Sequence, residues 1–146
     1  MQSVYVDGTT KTFTANGAVL ANRRVKLSAG STTKPPQVEY AGAGESCIGV
    51  AITNAADTEL VTVKLLASGG TFLLKTSAGV TQGAPLYGTS SGRVDDSGTG
   101  TTQFVALDAA SSGDEIECAL YPAVSTTAGT VSIADAGLFT DTATVE

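Results

Sequence analysis

No stretch of this chain holds an apolar pattern for more than about seven residues, too short for the three-turn stripe that would mark an amphipathic helix. Apolar or alternating runs recur at residues 4–6, 11–13, 19–20, 25–27, 38–40, 48–52, 60–66, 71–74, 85–87, 104–107 and 116–120. Most are rich in β-branched residues and give way to Gly, Ser, Asn or Asp within a few positions. Asp7-Gly8, directly after the first run, is a strong hairpin dipeptide. Many short strands separated by turn residues predict an all-β protein, a small antiparallel barrel or sandwich. Residues 18–21 and 108–112 have the Ala-rich texture of single helical turns, too short to alter the class.

Two stretches resemble each other at an offset of 55 positions. Val50-Ala51-Ile52 aligns with Val105-Ala106-Leu107, Ala55 with Ala110 and Glu59 with Asp114. Val61, Val63 and Leu65 then fall on Ile116, Cys118 and Leu120. Each copy reads as strand, Ala-rich turn, acidic residue, strand. Either a hairpin is used twice, or two low-complexity β segments converge. Alternation along residues 60–66 sends Val61, Val63 and Leu65 to one face. The second copy sends Ile116, Cys118 and Leu120 inward. The expected organisation is an N-terminal arm or first strand over 1–17, a barrel-like core over 18–121 and an extension over 122–146. Residues 123–146 contain no Lys or Arg. Val131 to Ile133 and the pair Leu138-Phe139 could anchor this extension to the domain or to a neighbouring subunit; plain disorder is the alternative.

Chemistry narrows the function. The chain has no His, which removes the commonest general base and metal ligand together. It has no Trp, and its Tyr and Phe are scattered, so no stacking platform for sugars or bases stands out. A net charge of −6 opposes binding to nucleic-acid phosphates. Paired carboxylates at Asp57/Glu59, Asp95-Asp96 and Asp114/Glu115/Glu117 lack the ligand spacing of a calcium loop and read as turn residues. No Ser stands in a Gly-x-Ser-x-Gly elbow, and the Gly-rich pieces lack a P-loop ending. No cofactor is expected. Nor is any apolar run long enough for a membrane helix. Two widely spaced cysteines, Cys47 and Cys118, and no signal-peptide pattern point to a reducing cytoplasm. Buried thiols are the expected state, with a disulfide the alternative. The basic cluster Arg23, Arg24 and Lys26 reads as a solvated strand edge or as a contact for an acidic protein partner.

The order of motifs adds a resemblance. Arg24-Val25-Lys26-Leu27 is followed by Ala41-Gly42-Ala43-Gly44-Glu45 and Ile48-Gly49-Val50-Ala51. Then come Ala55-Ala56-Asp57, Val61-Thr62-Val63, Gly70-Thr71-Phe72, Ala78-Gly79-Val80 and Ser91-Gly92-Arg93-Val94. Val105-Ala106-Leu107-Asp108-Ala109-Ala110 and residues 116–120 close the series. Over residues 18–120 this order resembles the capsid decoration (cement, head-stabilising) proteins of tailed bacteriophages. Gln103 stands where a Gly is common in that family, and Ser91 replaces the Asp of an Asp-Gly-Arg turn. The resemblance implies a β-barrel-like homotrimer on the outer surface of the expanded capsid. Its partner would be the major capsid protein, and its work would be to stiffen the shell rather than catalyse a reaction. The expected capsid contacts are Val4, Tyr5, Val6, Thr9 and Thr10 of the N-terminal segment, which would add a strand to a capsid sheet, with Arg23 and Arg24. The competing readings are a phage tail or fibre module that recognises a receptor or glycan, and a hydrolase of unfamiliar type.

Overall fold

The structure is a computed structural model that describes residues 10–121. The ten strands are β1 (Thr10–Ala15), β2 (Arg24–Leu27), β3 (Gln37–Tyr40), β4 (Gly49–Ala51) and β5 (Leu60–Leu65), then β6 (Thr71–Lys75), β7 (Pro85–Gly88), β8 (Val94–Asp95), β9 (Thr102–Ala106) and β10 (Glu115–Leu120). Among the described residues, helical geometry is confined to two 3-10 turns, Leu66–Ser68 and Ser90–Gly92. The all-β expectation holds. The expected helical turns at 18–21 and 108–112 do not form. Val19 and Ala110 sit there, and each has its backbone taken by an antiparallel bridge, Val19 to Ala55 and Ala110 to Val80.

The first five strands close a barrel in the order β1-β3-β2-β4-β5. β5 runs antiparallel along β1, and β3 pairs parallel with its last residues, Thr14 with Gln37 and Ala15 with Val38. The second five form a sheet in the order β6-β10-β9-β7-β8. A parallel bridge from Thr76 to Val94 ties its two outer strands together.

The two sheets are copies of one unit. Phe13 opposite Val61 corresponds to Leu74 opposite Ile116. Val25 opposite Gly49 corresponds to Leu86 opposite Phe104. The bridge Thr76 to Val94 repeats the pair Ala15 with Val38. Side chains repeat as well. Asn16 Nδ2 donates to Ser28 Oγ (3.2 Å) and to Glu39 Oε1 (3.4 Å). In the second unit Thr89 Oγ1 donates to Ser77 Oγ (2.9 Å), which donates to Asp95 Oδ2 (3.2 Å). The acidic residue of the Ala-rich turn has a mechanical role: Glu59 accepts from Ala56 N–H, and Asp114 from Ser111 N–H, each at 3.0 Å. A carboxylate that caps the turn fixes the entry of the following strand. The resemblance read at an offset of 55 is therefore the second half of a five-strand repeat that begins with β1.

Burial follows strand alternation. Val61, Val63, Ile116 and Cys118 are buried, while Leu60 is 62% exposed. Leu120 departs from the expected inward face and is 39% exposed. It lies past the start of β6, and among the described residues its strand pairing is with Phe104 of β9 alone. One core, centred on Phe13, Val19, Val25, Val38, Val61 and Val63, belongs to the first barrel alone. The other, around Phe72, Leu74, Leu86, Phe104 and Ile116, also takes in Ala41, Cys47 and Val50 from the first unit. The units interlock.

Leu86 lies in the second core and is 1% exposed. Leu86→Ala should cost about 2–5 kcal/mol in urea unfolding, whereas Leu60→Ala should stay within about 0.5 kcal/mol.

Candidate functional site

Arg24 begins β2, where the second unit has Pro85. Its side chain leaves its own barrel and enters the seam between the two. There it is 2% exposed, and its guanidinium is met by backbone carbonyl oxygens with the Cys47 thiol beside it. Nε donates to Arg93 O (3.2 Å) and Nη1 to Glu45 O (3.0 Å). Nη2 faces Ala41 O, Gly42 O and Thr89 O at 3.0–3.1 Å. The acceptors come from the 41–45 loop of the first unit and the β7–β8 turn of the second. A planar cation with five donors can gather so many carbonyls where an ammonium could not. Burial lowers its pKa, with the Cys47 thiol and Glu45 opposing that shift. A Cβ at Gly88 would run into the guanidinium, and one at Gly92 would meet Arg24 O at 2.6 Å. Both positions need the close approach that glycine allows.

This corrects the expectation for Arg24: the residue is an internal key and presents no charge to a partner. Arg23 is half-buried, donates to Ser91 O (2.9 Å) and lies over the Tyr40 ring at 5.7 Å. Lys26 is half-buried and bridged to Glu45 at 2.9 Å. Such a pair contributes little stability by itself, but Glu45 also accepts from Gly42 N–H at 2.6 Å and so shapes the loop that cradles Arg24. Thr10 is the first residue of β1, opposite Lys64. It shares no partner with Arg23. Val4, Tyr5, Val6 and Thr9 lie outside the described residues.

Other polar groups are also tied into the frame. Asp57 accepts from Gly17 N–H (2.7 Å), Asp96 from Thr81 N–H (2.8 Å) and Glu115 from Asn22 Nδ2 (2.7 Å). Gln103, the residue that departs from the family pattern, clamps Cys47 reciprocally: its Oε1 accepts from Cys47 N–H (2.8 Å) and its Nε2 donates to Cys47 O (3.2 Å). Among the described residues no group of three or more His, Cys, Asp or Glu could hold a metal ion. Cys47 and Cys118 are buried free thiols, so no disulfide joins them. Burial pushes their pKa values up to about 11 and about 12.

Sequence reasoning passed over one surface feature. An open groove of about 340 Å³ runs between β4 and β5 of the first unit and β6 of the second, lined in part by Asn22, Ile52, Lys64, Phe72 and Leu73. Ile52 is 45% and Leu73 50% exposed. The signal was present in Phe72-Leu73-Leu74: three consecutive apolar residues on a strand force the middle one outward.

The fold and these contacts define a structural β-barrel protein whose polar side chains brace the frame. The chain matches the phage cement protein family over residues 5–122 and belongs to that family. Its role is accordingly structural and associated with the phage capsid. The structure is similar to the crystal structure of the head fibre N base of bacteriophage phi29, with a TM-score of 0.68 at 16% identity, covering 78% of this chain and 94% of that one. No curated protein matches the chain.

Arg24→Met should lower the unfolding free energy by about 3 kcal/mol or more, because several buried carbonyls lose their donor together. Urea titration of both proteins would measure the difference. The thiols give a second expectation. At pH 8 neither should react with Ellman's reagent until denaturant is added. Unfolded thiols ionise near about 8.5, and the folded ones near about 11 and about 12. Thiol titration therefore removes stability as pH rises above about 8.5, since the unfolded chain releases protons that the folded chain retains. Urea midpoints at pH 8 and pH 10, compared with those of a Cys118→Val variant, would isolate this contribution.

Proposed function

We propose that this protein binds the outer surface of an expanded phage head as a homotrimer, covers junctions between major capsid protein subunits and stiffens the shell against the pressure of packaged DNA. Membership of the cement family over residues 5–122 is the observation that carries this reading. The physics is compatible. A rigid scaffold needs no reactive group to hold a seam, because a standard interface of ~1,600 Å² supplies specific binding. Three such interfaces on one trimer add avidity.

The contact residues in this reading are Val4, Tyr5, Val6 and Thr9, with Thr10 where the segment joins β1, and Arg23. The segment's alternation suits strand addition to an exposed sheet edge. Geometry also favours contact from one end of the molecule. Thr10 lies opposite Lys64, Lys64 Nζ donates to Thr71 O, and Thr71 lies opposite Ala119 near the end of β10. Both chain ends thus leave the described barrels in the same region. The likeness to a head-fibre base supports a second reading, in which the two barrels form the capsid-bound base of a receptor- or glycan-recognising module.

Mixing the purified protein with undecorated expanded capsids should give saturable co-sedimentation at a fixed stoichiometry. Val4→Asp with Val6→Asp should weaken that binding at least ~10-fold if these side chains sit in the centre of the interface, with the urea midpoint unchanged. Absence of saturable pelleting by the unmodified chain would overturn the capsid reading.

A further inference from the structure

We propose that the groove beside β6 is a docking slot for the C-terminal segment of the same chain, seated as an added strand around Val131, Ser132 and Ile133. The inference concerns the isolated protein and does not depend on capsid binding.

The slot has an unpaired sheet edge as one wall. Thr76 N–H donates to Asp114 O at 2.8 Å, so in the β6–β10 ladder the backbone of Phe72 and Leu74 faces β10. The backbone of Thr71, Leu73 and Lys75 therefore faces the groove. Two of these positions are partly engaged: Lys75 N–H donates to Asn22 O at 2.9 Å, and Thr71 O accepts from Lys64 Nζ. Leu73 N–H and C=O have no partner among the described residues. An open edge beside exposed apolar side chains is a template for another strand. Here the apolar wall is Leu73 and Phe72 on one side and Ile52 and Val50 on the other.

Reach, pattern and charge favour the C-terminal segment. Thr71 lies opposite Ala119, so β10 ends at the mouth of the slot. From β10 across β6 to the groove is two strand spacings, roughly 10 Å. The eight residues 122–129 can span up to about 26 Å. The next stretch, Thr130-Val131-Ser132-Ile133-Ala134, alternates as a strand with Val131 and Ile133 on one face. From residue 122 onward the chain carries Asp135, Asp141 and Glu146 and no Lys or Arg. Lys64 lines the slot, and in the adjoining hollow Lys75 and Arg23 outnumber the one carboxylate, Glu115, which accepts from Asn22 Nδ2. A strand entering from this end would run parallel to β6, and Leu73 would supply its central pair of backbone bonds.

Hydrogen exchange on the full-length protein tests this at a single amide. In the unmodified chain Leu73 N–H should be protected. In a Val131→Asp, Ile133→Asp variant it should exchange at least about tenfold faster, while Leu74 N–H, held by β10, keeps its protection and reports an intact fold. A Leu73 amide already open in the unmodified chain overturns the proposal, as does one equally protected in the variant. So does Leu73 opening in the Val4→Asp, Val6→Asp protein instead, which would assign the slot to the N-terminal segment. An Ile52→Cys, Ile133→Cys double variant should form a disulfide within one chain on mild oxidation, since both native thiols are buried. Cross-linked dimers from a mixture of the two single variants, without the intrachain bond, would assign the slot to a second copy and likewise overturn the proposal.

Discussion

A buried guanidinium without a buried carboxylate is an unusual way to join two β units, and the rest of this architecture depends on it. Removing a cation from water is costly unless its donors are met. Arg24 meets that requirement chiefly with backbone dipoles, taken from the 41–45 loop and the β7–β8 turn. The carbonyls are themselves held in place. Glu45 fixes Gly42, Gly44 N–H donates to Gly88 O, and Gly92 N–H donates to Ala41 O. The loop thus binds the arginine and the second sheet together. Its Ala41 and its neighbour Cys47 then pack into the second core.

The duplication explains why so slight a seam suffices. Each unit closes most of its backbone bonds internally, through matching ladders and matching turn caps. What remains is to fix how two near-equivalent bodies sit against each other. Symmetry is broken where that must happen. Arg24 stands in place of Pro85, and the 41–48 connection of the first unit reaches across the seam, where Gly44 N–H donates to Gly88 O and Gly44 packs against Gly100. Gln103 adds a side-chain amide that mimics a strand partner for Cys47.

Most strands were legible because β-branched residues alternate and turn residues interrupt them, and the inward faces of β5 and β10 followed from period two except at Leu120. β8 was not legible: Val94 and Asp95 lie in a stretch whose Gly, Asp and Ser read as a turn, and only pairing with Tyr87 and Gly88 makes them a strand. The first half of the repeat was hidden for a related reason. Its equivalences, such as Ala15 with Thr76 and Arg24 with Pro85, conserve backbone geometry more than residue type, and its identities, such as Val19 with Val80 and Val38 with Val94, are scattered. Arg24 was misread because sequence treats a cluster of basic residues as surface, whereas five carbonyls gathered from distant segments become visible only after folding. The site residues Val4, Tyr5, Val6 and Thr9 rest on pattern alone.

The way polar groups are used connects this structure to its role. Asp57, Glu59, Asp95, Asp96 and Asp114 all accept from backbone or hydroxyl donors close at hand, so these carboxylates hold turns. Catalysis asks for the reverse, a polar group left unsatisfied and aimed at a vacant space. Among the described residues, the main-chain groups of Leu73, beside exposed Ile52, are left for a further strand. A sheet edge with an apolar neighbour recognises another polypeptide, since backbone bonds give adhesion and alternate side chains give register. The capsid-associated role of the family thus meets a frame whose polar side chains are spent on holding its own turns and seam in place.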